Sequence, residues 1–164
     1  MSDGRWFEVD SDVETAVRHF RQSVALYREG GFDAPGLEGY RATMALMHAL
    51  QSAHTSLESA LLRILAMLGE ERPVGDNWHS DLIKRVAASP LGKRPAILGA
   101  RLARAADETR RFRHRATHTY DDFEAPEAAP AVEAAELLAN ELEAQIREFK
   151  AIIDPPARGG RPKG

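Results

Sequence analysis

The feature that most constrains this chain is the spacing of its apolar residues. They recur at intervals of three and four, the period of helices that bury one face. Val13, Val17, Phe20, Val24 and Tyr27 form such a stripe in a segment from about Val13 to Glu29, with Ser11 and Glu14 spaced as a capping box and Gly30-Gly31 as a stop. Met47, Leu50, His54, Leu57, Leu61, Ile64 and Leu68 make a longer seam between about Leu37 and Leu68, before Gly69. A short segment from about Trp78 to Ala88 turns Leu82 and Val86 inward and has Asp76 or Asn77 as a candidate cap. A fourth helix is expected from about Pro95 to Phe123, and a fifth from about Ala131 to Ile153, ended by Pro155-Pro156. No segment alternates convincingly as a strand. The expected fold is all-α: an antiparallel bundle of four main helices plus one short helix over residues 1–153. The basic residues 154–164, with their glycines and prolines, are expected to be a disordered tail.

Composition narrows the function classes. A hydrophobic fraction of 43% can fill a core, and a net charge of −3 excludes a generally basic nucleic-acid coat. Any contact with nucleic acid must therefore come from a local patch. The absence of cysteine excludes disulfides and thiolate zinc sites. The acidic N-terminal run has no apolar core of a signal peptide, and no apolar stretch is long enough to span a bilayer. Cytoplasm is the expected compartment, with no membrane partner.

The local patch exists. Arg110-Arg111-Phe112-Arg113-His114-Arg115-Ala116-Thr117-His118-Thr119-Tyr120 holds four arginines and two histidines in eleven residues, bracketed by Asp107, Glu108, Asp121, Asp122 and Glu124. At roughly 100° per residue, Arg110, Arg111, Arg113, His114, Thr117 and His118 fall on a polar side, and Phe112 and Ala116 on the core side. Arginine offers a fork of donors that matches phosphate oxygens, and histidine moves protons near neutral pH. Together they suit phosphodiester cleavage in RNA, where the 2′-hydroxyl is the nucleophile and no metal is required. Arg113 and His118, five apart, would be splayed by roughly 140° on a straight helix. A solvated basic helix face is the plainer explanation of an arginine run.

The string from Arg113 to Tyr120 reads Arg, four residues, His, one residue, Tyr, and so resembles the signature of HepT-like toxins, a branch of the HEPN superfamily. Its place on a helix before the last one, and the short segment Trp78-His79-Ser80-Asp81-Leu82, are also similar to that family. The resemblance implies a helical homodimer, or a higher assembly of it with its antitoxin, whose paired motifs form a composite cleft. It implies metal-independent RNA cleavage that leaves a 2′,3′-cyclic phosphate and uses no cofactor. His118 would then transfer protons, Arg113 would stabilise the phosphoryl transition state, and His114 would position the backbone. Arg111, six residues before His118, fits the broader HEPN pattern as well, so the main arginine is Arg113 or Arg111. The resemblance further implies an MntA-like nucleotidyltransferase antitoxin that attaches AMP to Tyr120. The alternative within the family is a non-catalytic partner, or a substrate-binding subunit, of a nucleotidyltransferase.

Other residues carry less. His54 and Glu58 are one turn apart, as are His114 and His118, so a two-helix metal site can be drawn. The place of His54 in the apolar seam favours a hydrogen-bonded core histidine, and His79 reads as a helix-start residue. Ser52, Ser56 and Ser59 lack an acid–base set around them. There is no GxGxxG or GxxxxGK[ST] phosphate loop. A helical interaction protein, docking an acidic partner on its basic face, is the third reading.

Overall fold

A computed structural model describes residues 4–118 and 123–156. Tyr120 and the tail from 157 onward, both singled out from the sequence, lie outside the described residues. Those that are described form five helices: α1 (Arg5–Glu29), α2 (Leu37–Met67), α3 (Trp78–Ala87), α4 (Ala100–His118) and α5 (Ala129–Ile153), with 3₁₀ turns at Pro90–Gly92 and Ala125–Ala128. The chain is all-α, as the periodicity requires.

The long helices form a ring in which α1 packs on α2 and α5, and α4 packs on α5 and α2. Three neighbouring pairs are antiparallel. Arg63 of α2 reaches Asp12 and Glu8 near the start of α1. Arg28, near the end of α1, pairs with Glu136 near the start of α5. Arg101, at the start of α4, pairs with Glu141 in the middle of α5. Val13, Val17, Phe20, Leu50, Leu57, Leu61, Ile64, Phe112, Leu138, Leu142 and Phe149 are buried between the helices. Burial of each large side chain contributes about 1.5–3 kcal/mol. Short α3 packs on α4 and α2, with His79 of α3 meeting Glu58 of α2.

Helix ends depart from the sequence expectation in several places. Helix α1 begins at Arg5, two turns before the expected start, so Ser11 and Glu14 are mid-helix residues and not a capping box. Trp6 and Val9 extend the buried stripe, and Trp6 Nε1 donates to Asp154 beyond the end of α5 (3.2 Å). Asn77 stands at the start of α3 without a side-chain capping bond. Pro95 does not open α4. Residues 93–99 are a loop tied by Ile97 and Leu98, whose amides both donate to the Val86 carbonyl (2.8 and 3.1 Å). At the other end, Phe123 is outside the helix but packs edge-on against Phe112, with centroids 5.4 Å apart. Helix α5 starts at Ala129, two residues before the expected Ala131, with Pro130 in its first turn, where a missing N–H costs nothing.

Buried Arg94 organises the loop between α3 and α4. Its guanidinium donates to the Ala88 (2.9 Å), Pro95 (3.1 Å) and Arg85 (3.1 Å) carbonyls and pairs with Glu70. This polar staple holds the end of α3 against the entrance to α4, and thereby sets where the start of α3 meets the basic face.

Candidate active site

The basic face of α4, the start of α3 and His54 of α2 line a cavity of about 360 Å³. Arg113, His114, Thr117 and His118 come from α4, and Asp76, Asn77, His79 and Ser80 from around the start of α3. The splay between Arg113 and His118 therefore does not separate them: both side chains line one cavity of a single protomer. The His114 and His118 rings meet edge to face, with centroids 4.4 Å apart. Thr117 Oγ1 donates back to the Arg113 carbonyl (2.8 Å).

Arg111 is elsewhere. It is 60% exposed, pairs with Asp107 (2.9 Å) and Glu108 (3.7 Å), and lines a groove of about 840 Å³ between α4 and α5. That groove mixes arginines with Glu133 and Glu136 and contains no histidine. Arg110 pairs with the same Asp107 (2.7 Å). The acids that bracket the run thus neutralise part of it, and the face is less bare than its sequence suggests.

What holds Arg113 is a residue whose sequence signal is weak. Glu58, one turn beyond His54 on α2, is buried with its side chain only 6% exposed, and its Oε1 accepts from Arg113 Nη1. Its Oε2 accepts from His79 Nδ1. Burial pushes the Glu58 carboxyl up, but the imidazoles of His54 and His79 outweigh this and hold it at about 2. Glu58 is therefore an ionised acceptor near neutral pH, and the ring hydrogen of His79 must sit on Nδ1 to reach it. Nε2 is the nitrogen of His79 left for other work.

His54 is the buried, hydrogen-bonded histidine that its seam position suggests. Thr109 Oγ1 gives its proton to the Ala106 carbonyl (2.9 Å) and so accepts from His54 Nδ1 (2.8 Å). His54 Nε2 stands 3.5 Å from Glu58 Oε2 and has no hydrogen-bond partner among the described residues. Burial lowers the proton affinity of His54, only partly offset by Glu58. Among the described residues no group of three His, Asp or Glu side chains is placed to hold a metal ion. His79 is at a helix start, as expected, but its bond to Glu58 spans 21 positions, which spacing rules do not reach.

Chemically, the cavity offers a guanidinium anchored from behind by a buried carboxylate, with histidines from three helices around it. That arrangement fits a ligand with phosphate oxygens and protons to exchange. No described helix is long and apolar enough to cross a membrane. Residues 45–153, which include α2 from Ala45, α3, α4 and α5, match the family model described as HepT-like protein. No curated protein and no solved structure matches the chain.

Proposed function

The chain belongs to the HepT-like protein family, and from that premise we propose that it is a metal-independent endoribonuclease, the toxin of a toxin–antitoxin pair. The observation that carries the reading is that Arg113, His114 and His118 line one cavity, while Arg113 is held from behind by buried Glu58. In this mechanism the 2′-hydroxyl of RNA attacks the adjacent phosphorus. The new 2′-oxygen–phosphorus bond forms as the bond to the 5′-oxygen breaks, leaving a 2′,3′-cyclic phosphate and a 5′-hydroxyl. Arg113 stabilises the charge on the phosphoryl oxygens, His118 transfers a proton, and His114 positions the backbone. Arg111, turned to the other groove, contributes to RNA attraction outside the reacting centre. The working form is a homodimer that brings two motifs into one cleft.

Control follows the same chemistry. An MntA-like nucleotidyltransferase attaches AMP to Tyr120, two residues after His118, and the added phosphate competes for the anion site of Arg113. The test is expression without the nucleotidyltransferase. Wild type arrests growth and His118→Ala does not; with the partner present, wild type regains growth and Tyr120 carries the mass of AMP. Wild-type expression without growth arrest would instead make the chain a non-catalytic subunit.

A further inference from the structure

RNA cleavage by the 2′-hydroxyl moves two protons: one leaves the attacking oxygen, and one is taken up by the departing 5′-oxygen. His118 serves one of these events. The cavity holds a second histidine with the features of a proton-transfer group, and it comes from a different helix. His79 Nδ1 is fixed on the Glu58 carboxylate, its ring is stacked on Trp78 with centroids 3.6 Å apart, and Trp78 is covered in turn by the Arg72 guanidinium at 5.2 Å. Nδ1 is thus engaged and the ring plane is held, so Nε2 is the remaining site that can take or give a proton. The His79 side chain is 34% exposed, open enough to meet a ligand, whereas His54 is buried. The same carboxylate holds Arg113 through its other oxygen. One buried acid therefore sets the positions of a guanidinium and an imidazole, on a common cavity wall with His118.

Resting on the ribonuclease reading above, we propose that His79 is the second proton-transfer residue of the reaction, acting through Nε2 at the oxygen that His118 does not serve, and that Glu58 is the residue that positions both His79 and Arg113. In each turnover one imidazole accepts the 2′-hydroxyl proton and the other donates to the 5′-oxygen, so the pair ends with its protons exchanged and no further reactant is consumed.

The experiment measures the pH dependence of cleavage for wild type, His79→Ala, His79→Gln and His118→Ala. Substrates are an RNA and a uridine 3′-(4-nitrophenyl phosphate), whose leaving group departs without a proton. Wild type should give a bell-shaped profile on RNA. His79→Ala and His79→Gln should lower kcat by about 100-fold or more, the usual size of a general acid–base contribution, with KM changed only a few-fold. Each should lose the limb that His118→Ala retains. On the nitrophenyl ester, only one of the two histidine positions should still matter. His79→Gln keeps a polar side chain against Glu58 and carries the test if the alanine variant folds poorly. If wild type cleaves RNA to a cyclic phosphate while both His79 variants keep both limbs and near-normal kcat, the assignment of His79 is overturned and the ribonuclease stands. If wild type cleaves nothing, both readings fall together.

Discussion

Replacing Glu58 with glutamine keeps the shape of the side chain and removes the charge around which His79 and Arg113 are arranged. The magnitude follows from the carboxyl itself, which is held at about 2 against an ordinary 4.5. Each tenfold change in proton affinity is worth about 1.4 kcal/mol, so the native environment favours the ionised form by about 3 kcal/mol. The sign is set by which state takes the proton first. Because the folded value is depressed, the unfolded chain protonates first on acidification. The stabilisation is therefore complete above pH 4.5 and is lost as the pH falls toward 2. Lowered His54 acts in the same direction from its ordinary 6.5 downward, because the unfolded chain takes up a proton that the buried ring resists. Urea unfolding followed by circular dichroism, at several pH values between 7 and 3, measures both proteins. Wild type should exceed Glu58→Gln by about 3 kcal/mol at pH 7, with the gap closing through the window from 4.5 toward 2. A gap that stays constant across that window would refute the claim that the ionised carboxylate is what the cluster stabilises.

Three further outcomes follow from the geometry. Arg113→Ala should reduce RNA cleavage by about 100-fold or more, as expected when a charge-stabilising donor is lost, while Arg111→Ala, outside the cavity, should stay within a few-fold of wild type in the same kinetic assay. Arg94→Ala removes the guanidinium bonds to Glu70 and to the Ala88, Pro95 and Arg85 carbonyls, and should lower the free energy of unfolding by about 3–5 kcal/mol in denaturant titration. Gly39→Ala would put a Cβ 2.1 Å from the Ala34 carbonyl oxygen, a backbone atom with little room to move; thermal unfolding should show a loss of about 1–3 kcal/mol.

The helices were legible because their signal is local. Leu50, Leu57, Leu61 and Ile64 state their period within α2, and Leu138, Leu142, Ile146 and Phe149 do the same within α5. The ends were harder. Ser11 and Glu14 are spaced as a capping box, but the helix runs through them from Arg5, where buried Trp6 bonds to Asp154 beyond the far end of α5. The loop before α4 is organised by Arg94, whose partner Glu70 is 24 positions away. For the candidate site, the spacing from Arg113 to His118 pointed to α4, and Arg110, Arg113, His114, Thr117 and His118 of its polar side line the cavity, whereas Arg111 does not. Sequence alone favoured Arg113 as the main arginine and left Arg111 as the alternative. They differ in the structure because Arg111 meets Asp107 and Glu108 on its own helix, whereas Arg113 reaches across to α2. Glu58 was visible only as an acid one turn from His54 in an apolar seam. Its partners His79 and Arg113 are 21 and 55 positions away, and such pairings arise from how α2, α3 and α4 pack.

The central claim, that the cavity around Arg113 and His118 cleaves RNA without a metal, is tested most directly by incubating purified protein with RNA in EDTA and identifying the new ends. Wild type, with Tyr120 unmodified, should yield 2′,3′-cyclic phosphate and 5′-hydroxyl termini, and folded His118→Ala should form them about 100-fold or more slowly. Intact RNA with unmodified wild type, or equal cleavage by the folded variant, would contradict the claim.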